Sequence, residues 1–290
     1  MKKPSVTIIG LGKVGTALFN ILSSNNYRVT SVIQKGSISE SLKTNYPDTF
    51  FIDKIPDSLD DYGDLILITV PDAVIEDVVK EIDMALDSLN NKTVAHCSGT
   101  YSSDLLKPLS SKGAIKGTFH PNRSITESTE NFQNTWFDVE GDKNAIQTFK
   151  QIADSLDAKI IEIEAHQKPY LHASAVIASN YLVVLANLMT RVSGKAGLNE
   201  EVSLKTLIPL MRNTLDNIEQ KGVSAALTGP IARGDVNTVR DHLDLLSPEP
   251  DLKDLYKNLG RDALNVSSLK ESDYESYQEL IEILSQSSKK

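Results

Sequence analysis

A glycine-rich loop near the N-terminus carries the strongest chemical signal in the sequence. Gly10, Gly12 and Gly15 follow a G-x-G-x-x-G pattern directly after the apolar run Val6–Ile9, and a helical pattern begins inside the loop. In this context the first glycine permits a tight turn, the second lets the backbone approach a pyrophosphate, and the third lets the helix pack on the strand. Free N–H groups at the helix N-terminus then face the phosphates. We expect a dinucleotide to bind at Gly10, Leu11, Gly12, Lys13, Val14 and Gly15.

The end of the second predicted strand indicates which dinucleotide is bound. NAD-binding domains carry an acidic residue there, about 20 residues after the loop, which binds the ribose hydroxyls. This chain has Gln34, Lys35 and Ser37 instead, and the next acidic residue is Glu40. Lys35 and Ser37 are suited to a 2′-phosphate, so we expect NADP, with NAD as the less favoured cofactor. A solvated lysine in a loop is the alternative interpretation of Lys35.

Two loops that leave predicted strand ends are expected to line the cofactor. Ligands of an open α/β sheet bind outside the carboxyl ends of its strands. Val70 and Pro71 lie in one such loop, and Ser98 and Gly99 lie in the next. Proline and glycine also form ordinary turns, so a purely structural role for Pro71 and Gly99 stays open.

Two histidines also end predicted strands. His96 and His120 are expected to point into the crevice and contact the substrate. Cys97 lies beside His96 without a paired base, so we expect a small buried residue rather than a nucleophile. The sequence contains neither C-x-x-C nor H-E-x-x-H, and it therefore predicts no metal site.

The first long helix of the C-terminal half carries a polar stripe. Lys168 and His172 are four residues apart and share one helix face, and Ser179 and Asn180 follow near the same stripe. Polar groups on an otherwise apolar helix need partners. We predict that Lys168 or His172 is the catalytic acid or base and that Asn180 orients the substrate. An exposed helix start with a solvated Lys168 is the alternative.

A second polar cluster joins two later helices. Thr228 and Gly229 open it and Arg233 lies near its end. Glycine allows close backbone approach, and arginine can clamp an anionic group with two parallel hydrogen bonds. We predict that these three residues bind substrate, although a capped turn with a surface arginine explains them equally well. Asp235 is expected to be the N-cap of the following helix.

The elements that must position these residues form two sets. Short β-rich runs alternate with helical patterns as far as residue 164, and the almost continuously apolar run 64–70 is typical of a central parallel strand. This pattern predicts an α/β fold, with a doubly wound Rossmann-type parallel sheet over residues 1–164. Only helical patterns follow, so residues 165–290 are predicted to be an all-helical domain for substrate binding and dimerisation. Its apolar stretch 173–189 is interpreted as a buried helix rather than a membrane span.

Composition argues against several classes of protein. The net charge of −9 opposes binding to a nucleic-acid backbone, which requires a basic face. The single cysteine allows no intrachain disulfide and fits a reducing compartment. The N-terminal apolar segment is too short for a secretory signal. We expect a cytoplasmic protein whose partners are a small-molecule substrate and a second copy of itself, with no nucleic acid and no membrane.

Taken together, these residues resemble a known family. Over nearly its whole length the chain is similar to Rossmann-like proteins that carry a helical C-terminal domain of unknown function and are described as NADP oxidoreductases. The resemblance rests on the Gly10–Gly15 loop, Val70-Pro71-Asp72, His96-Cys97-Ser98-Gly99, His120-Pro121, His172-Ala173-Ser174-Ala175, Ser179-Asn180, Thr228-Gly229-Pro230 and Arg233-Gly234-Asp235.

The chain is more distantly similar to pyrroline-carboxylate reductase, ketopantoate reductase and the hydroxyacid dehydrogenases of the phosphogluconate type. These relatives imply catalysis in a cleft between the two domains and dimerisation through the helical one. Some of them use a Lys-x-x-x-Asn pair on the first long helix. Lys168 and His172 occupy the matching positions here, so the asparagine is missing and Asn180 would have to replace it.

The sequence therefore predicts an NADP-dependent oxidoreductase that exchanges a hydride with a small carbonyl, imine or alcohol. A protein that binds a dinucleotide as a sensor or scaffold, without turnover, is the alternative, because a fold does not by itself imply a function. The two interpretations differ in whether the Lys168 and His172 stripe faces the nicotinamide end of the site.

Overall fold

The fold is taken from a computed structural model, which describes residues 2–285. The chain divides into two compact units, Met1–Asn180 and Tyr181–Lys290. The sequence places the domain boundary at residue 164, where the last strand pattern ends. The division between compact units falls later because the helix that begins at Lys168 buries that lysine against strands of the first unit.

The first unit is built on one eight-stranded sheet in the order β3-β2-β1-β4-β5-β6-β7-β8. Neighbouring strands are parallel except β6 and β7, which are antiparallel. The order of the first six strands is that of a Rossmann domain, and its switch point lies between β1 and β4. The strands are β1 Val6–Ile9, β2 Val29–Ile33, β3 Phe50–Ile52, β4 Leu65–Ile68, β5 Thr93–His96, β6 Ile115–Pro121, β7 Trp136–Gly141 and β8 Lys159–Glu162.

Helices cover both faces of this sheet and create two apolar cores. Helices α1 and α5 pack on one face, and α3 and α4 pack on the other. Strand β4 shows why both faces must be covered, since Leu65 and Leu67 face the first core while Ile66 and Ile68 face the second. The helices of this unit are α1 Lys13–Ser24, α2 Glu40–Asn45, α3 Asp72–Ala85, α4 Lys107–Ser110, α5 Lys143–Ser155 and α6 Lys168–Val176.

The second unit is helical, as the sequence predicts. A small core of α10, α11, α12 and α13 side chains holds one part of it together, and it includes Val239, Leu264 and Leu280. Helices α7 and α8 form the other part, where the hydroxyls of Ser193 and Ser203 are 2.6 Å apart. The helices are α7 Leu182–Lys195, α8 Glu200–Lys221, α9 Val223–Ala226, α10 Val236–Leu245, α11 Pro250–Val266, α12 Leu269–Ser272 and α13 Tyr274–Ser285.

The apolar stretch 173–189 differs from the expectation of a buried helix. It spans the end of α6, a π-helical turn at Ile177–Tyr181 and most of α7, and no α7 residue is buried within the chain. Val183, for example, is 70% exposed. The stretch Ala165–Lys195 is also long and apolar enough to cross a membrane by length and composition, with a mean hydropathy of 1.5. The apolar side chains of α7 are therefore left exposed to solvent by the rest of the chain.

Candidate functional site

The glycine loop has the geometry that a pyrophosphate site requires. Gly10 adopts φ +99°, and a Cβ there would lie 2.8 Å from Val70 Cγ1, so only glycine fits. A Cβ on Gly15 would overlap the carbonyl oxygen of Gly10. At Gly12 the nearest atom to such a Cβ is Thr69 O at 3.9 Å, so the space above the loop is open. Gly12 is also the N-cap of α1 without a side-chain cap, which leaves the first-turn amides available to an anion.

A cavity of about 320 Å³ lies beside this loop at the carboxyl ends of β1, β2 and β4. Gln34 Oε1 accepts a 2.6 Å hydrogen bond from the Leu11 N–H and so ties the end of β2 to the loop. Lys35 lines the cavity and is paired at 2.5 Å with Glu81 of α3. The cavity has the position of an adenosine site in a Rossmann sheet. Its lining residues are Ile9, Gly10, Leu11, Gly12, Ile33, Gln34, Lys35, Ile55, Thr69, Val70, Pro71, Val74, Val78 and Glu81.

Seven of the thirteen predicted cofactor residues line this cavity, namely Gly10, Leu11, Gly12, Gln34, Lys35, Val70 and Pro71. The other six, Lys13, Val14, Gly15, Ser37, Ser98 and Gly99, do not line it, and Ser37 is exposed. Glu81 is a residue that the sequence analysis missed, because it lies on a helix far along the chain from Lys35. Its helical pattern offered no signal that the carboxylate would reach the end of β2.

The loop after β5 is held to the loop after β4 by side-chain hydrogen bonds. The Ser98 hydroxyl donates to Asp72 Oδ2 at 2.9 Å and accepts from the backbone N–H groups of Thr100 and Tyr101, each at 3.1 Å. Ser98 is buried. It therefore shapes the loop, and any contact with the cofactor would come from the backbone beside it.

His96 points into the protein rather than into a crevice, unlike the expectation from its strand-end position, and its contact with substrate stays a prediction. Its side chain is fully buried, Nε2 donates to Ser102 O at 3.0 Å, and Nδ1 accepts from the Ser98 N–H at 3.3 Å. Burial lowers the pKa of His96 below its usual value, which favours the neutral ring that these two bonds require. Alternation along β5 turned the side chain into the protein, an outcome that strand-end position alone does not reveal.

Cys97 is chemically quiet in this structure. Burial raises the pKa of its thiol to about 12, so the thiolate that a nucleophile needs is disfavoured. Among residues 2–285, no group of three or more His, Cys, Asp and Glu side chains could hold a metal ion.

Two imidazoles meet beneath Gly99. The rings of His120, at the end of β6, and His172, on α6, lie edge to face with centroids 6.0 Å apart. A Cβ on Gly99 would lie 2.5 Å from His172 Nδ1 and 2.9 Å from His120 Nε2, so glycine is needed for both rings to approach this backbone. The structure therefore brings together one predicted cofactor residue, one predicted substrate residue and one predicted catalytic residue.

His120 stands at the end of a buried chain of charges. Its Nδ1 donates to Asp138 Oδ2 at 2.6 Å, and the other carboxylate oxygen accepts from Lys168 Nζ at 2.9 Å. Lys168 Nζ also donates to the Thr118 hydroxyl at 3.2 Å. The Lys168 side chain has no exposed surface, and that of Asp138 is 3% exposed. The Lys168 ammonium is therefore enclosed by the protein and cannot contact a ligand. Of the three linked side chains, that of His120 is the most exposed to solvent.

The electrostatics of this chain fix which atoms carry protons. Burial by itself raises the pKa of Asp138, but its hydrogen bond and proximity to His120 and the charge of Lys168 outweigh that effect and hold the pKa below its usual value. The ionised carboxylate keeps the proton of His120 on Nδ1. The second ring nitrogen, Nε2, is the one left for a ligand.

The sequence analysis missed Asp138, and a signal for it was present. Strand β7 places this carboxylate between the buried side chains of Phe137 and Val139. A charged residue inside an apolar strand needs a buried partner of opposite charge. Lys168 is only 30 residues away in sequence, but the antiparallel pairing of β6 with β7 was needed to bring His120 alongside.

A second, larger cavity of about 770 Å³ opens on the two imidazoles. All of its lining residues belong to the first unit. Asn180 lines it from the π-helical turn, where its Oδ1 accepts from the Ser179 hydroxyl at 2.8 Å. The cavity is lined by His120, Pro121, Asn122, Arg123, Ser124, Trp136, Ile161, Leu171, His172, Ser174, Ala175, Val176, Ala178, Ser179 and Asn180.

Thr228, Gly229 and Arg233 lie in the second unit. Gly229 has φ +94° with open space around its α-carbon, and its carbonyl accepts from the Arg233 N–H at 3.2 Å. Asp235 caps α10 as predicted, because its Oδ1 accepts from the Thr238 N–H at 3.1 Å. Those bonds, with the nearby charge of Arg233, lower the pKa of Asp235. Substrate binding by Thr228, Gly229 and Arg233 stays a prediction.

Comparison with known proteins finds two family models, each of which matches one part of the chain. No curated protein matches it. Residues 1–121 match the family model of the Rossmann-like domain, and residues 135–263 match the model described as Domain of unknown function (DUF2520).

Solved structures share the fold over almost the whole chain. A candidate NADP oxidoreductase from Bacteroides fragilis is 20% identical, with a TM-score of 0.73 over 90% of this chain and 98% of that one. A protein from Thermotoga maritima is 26% identical, with a TM-score of 0.69 over 92% and 99%. A reductive aminase from Aspergillus terreus, in complex with NADPH and ethyl levulinate, is 16% identical, with a TM-score of 0.65 over 93% and 99%.

These matches confirm the resemblance and the fold class drawn from the sequence. The Rossmann-like match ends with β6, and the DUF2520 match covers β7, β8 and most of the helical region. The chain is thus similar to the Rossmann-like domain over residues 1–121 and to the DUF2520 domain over residues 135–263.

Proposed function

We propose that this chain is an NADP(H)-dependent oxidoreductase acting on a small carbonyl, imine or alcohol. One observation carries the proposal. A buried Lys168–Asp138 pair holds the His120 imidazole at the wall of the 770 Å³ cavity, directly beneath Gly99 of the loop that follows β5. An oriented imidazole next to a cofactor loop is the arrangement that proton transfer during carbonyl reduction requires.

The residues of the glycine loop fit the cofactor. Gly12 leaves the space above the loop open, and the amides of α1 are free to bind phosphate. Lys35 lies in the adjoining cavity where a 2′-phosphate would be recognised, which supports NADP over NAD. The reductive aminase of the same fold is in complex with NADPH. When bound, the nicotinamide would supply or accept the hydride.

The protein's own contribution is a proton at a defined atom. With a second proton on Nε2, the His120 ring would give that proton to the substrate oxygen or nitrogen during reduction, keep its Nδ1 proton, and take the Nε2 proton back during oxidation. Asp138 accepts the Nδ1 hydrogen bond and so orients the ring. Lys168 acts here as a positioning residue because its ammonium is fully enclosed, so the acid/base role predicted for it passes to His120. His172 and Asn180 line the same cavity and would orient the substrate.

The exposed apolar surface of the helical unit supports a homodimer as part of this proposal. The uncovered side chains lie on α7 and α8, and a second copy presenting the same surface would bury both. They include Val183, Val184, Leu185, Val192, Val202, Leu210, Leu215 and Ile218. We also place the protein in the cytoplasm, in keeping with its single cysteine.

Binding of the cofactor is tested first, by calorimetric titration of the purified protein with NADPH and NADH. We expect NADPH to bind more tightly, and we expect Lys35→Met to remove most of that preference while Lys43→Met, a change of equal charge on α2, leaves it intact. Absence of binding by either dinucleotide to folded protein would sink the oxidoreductase proposal.

Turnover is tested next, by following NADPH oxidation with small ketones, aldehydes and imines. With any substrate found, His120→Gln should lower kcat by about 10²–10⁴-fold, the usual contribution of general acid catalysis, with the affinity for NADPH unchanged. A His120→Gln variant with normal kcat would show that the proton comes from elsewhere.

A further inference from the structure

The 770 Å³ cavity is lined by basic side chains and by no acidic ones among the described residues. Its lining residues include Arg123, His120 and His172. The Asp138 carboxylate behind His120 already accepts hydrogen bonds from His120 and Lys168. In a chain of net charge −9, this cavity carries an excess of positive charge.

Arg123 is held in place without being neutralised. Its Nη1 donates to Asn131 O at 2.9 Å and to the Thr135 hydroxyl at 3.3 Å, and both acceptors are uncharged. No carboxylate among residues 2–285 forms an ion pair with it. A guanidinium oriented by neutral acceptors keeps its full charge and its remaining N–H donors, which is the state that binds a carboxylate most strongly.

The position of Arg123 relative to His120 is compatible with a small ligand. The two residues are three positions apart along the chain that leaves β6, so their α-carbons are at most about 10 Å from each other. A small molecule is therefore long enough to contact both residues. The rest of the lining is apolar or small, with Leu171, Val176 and Ile161 among it.

We propose that the substrate carries a carboxylate, which Arg123 binds while His120 Nε2 faces its reacting carbonyl, imine or alcohol group. This inference rests on the proposed function and narrows it to short oxo acids, the corresponding imino acids, and their hydroxy- or amino-acid products. Arg123 replaces Arg233 as the residue expected to bind the anionic group, because it shares a cavity with His120 within one unit.

The test measures binding of small probes to the full-length protein saturated with NADP⁺, by calorimetry or ligand-observed NMR. The probes are pyruvate, 4-methyl-2-oxopentanoate and 4-oxopentanoate, each compared with its uncharged methyl ester. The variants are Arg123→Gln, Arg123→Lys and Arg28→Gln. Arg28 is an exposed arginine just before β2, at the opposite end of the strands, and its loss changes the net charge equally.

At least one free acid should bind more tightly than its ester. Arg123→Gln should weaken that binding by about 10- to 100-fold, as loss of a charged hydrogen-bonded pair does, and leave the ester unaffected. Arg123→Lys should retain part of the affinity, and Arg28→Gln should retain all of it. The proposal is overturned if no acid binds better than its ester, or if Arg123→Gln and Arg28→Gln have equal effects. NADP⁺ saturation is checked in the same samples, so failure of the cofactor site is seen separately.

Discussion

At the scale of single residues, the Asp138 carboxylate connects the groups of this site, because it accepts hydrogen bonds from both His120 and Lys168. It is buried, and each of its oxygens accepts one hydrogen bond, one from His120 and one from the Lys168 ammonium. A lone buried carboxylate costs several kcal/mol, and so does a lone buried ammonium. Each of Asp138 and Lys168 is tolerated inside the protein because of the other, and the orientation of His120 follows from their pairing.

This coupling can be measured by a double-mutant cycle on Asp138→Asn and Lys168→Met. We expect Asp138→Asn alone to lower the free energy of unfolding by about 3–5 kcal/mol, because it leaves the Lys168 ammonium buried without a counter-charge. The double variant should lose less than the sum of the two single losses.

Urea unfolding followed by circular dichroism provides the measurement, with Lys80→Met as a control. Lys80 forms an exposed pair with Glu76 on α3, so its removal should leave the unfolding midpoint unchanged. Additive losses in the cycle would mean that the two charges do not depend on each other.

At the scale of elements, the glycines of the loop have two different roles. Gly15 is required for the fold, whereas Gly12 leaves room for the ligand. Gly15 is needed for the fold, because a Cβ there would overlap the Gly10 carbonyl oxygen. Gly12 can accept a Cβ without a clash within the protein, since its φ is −70° and the nearest atom to a Cβ would be 3.9 Å away. We therefore expect the space beside the Gly12 α-carbon to be occupied by the ligand.

The variants Gly12→Ala and Gly15→Ala should therefore fail in different ways. Gly12→Ala should melt at the temperature of the parent protein and bind NADPH at least about tenfold more weakly, a loss of about 1.4 kcal/mol. Gly15→Ala should lower the melting temperature with no ligand present. Differential scanning fluorimetry with and without NADPH distinguishes the two outcomes, and normal NADPH affinity in Gly12→Ala would refute the assignment of that space to the pyrophosphate.

Sequence patterns predicted the elements of the first unit well where the apolar signal was long. The run 64–70, expected to be a central parallel strand, contains β4 Leu65–Ile68. The strand Phe50–Ile52 and helix Glu40–Asn45 were not predicted, because three and six residues are too few to show a period.

At the scale of the whole molecule, the exposed apolar surface of α7 and α8 bears on the oligomeric state of the protein. Val183 on α7 is 70% exposed and Leu210 on α8 is 62% exposed. Soluble monomers rarely leave such contiguous apolar surface in water. The helical stretch Ala165–Lys195 would satisfy a membrane by composition as well, so the two environments must be separated by experiment.

We expect the protein purified without detergent to have twice its chain mass of 31.8 kDa by light scattering. The double variant Val183→Glu and Leu210→Glu should shift it toward the monomer, because two carboxylates per copy would be buried in the interface. Met84→Glu, at a residue of α3 that is 79% exposed, is the matched control and should leave the mass unchanged. A monomeric parent protein, or recovery only in membrane fractions, would contradict the dimer.

The sequence by itself determined the Rossmann sheet, the helical second half and the glycine loop, because each depends on local periodicity or on residues adjacent in the chain. It also identified His120 and His172 as candidates for the site. The tertiary structure alone decided that His96 turns inward, that Lys168 is enclosed, that Asp138 bonds to His120, and that Arg123 and Glu81 line the two cavities. Those outcomes depend on strand pairing and on burial, which bring together charges that lie tens of residues apart and carry no common period.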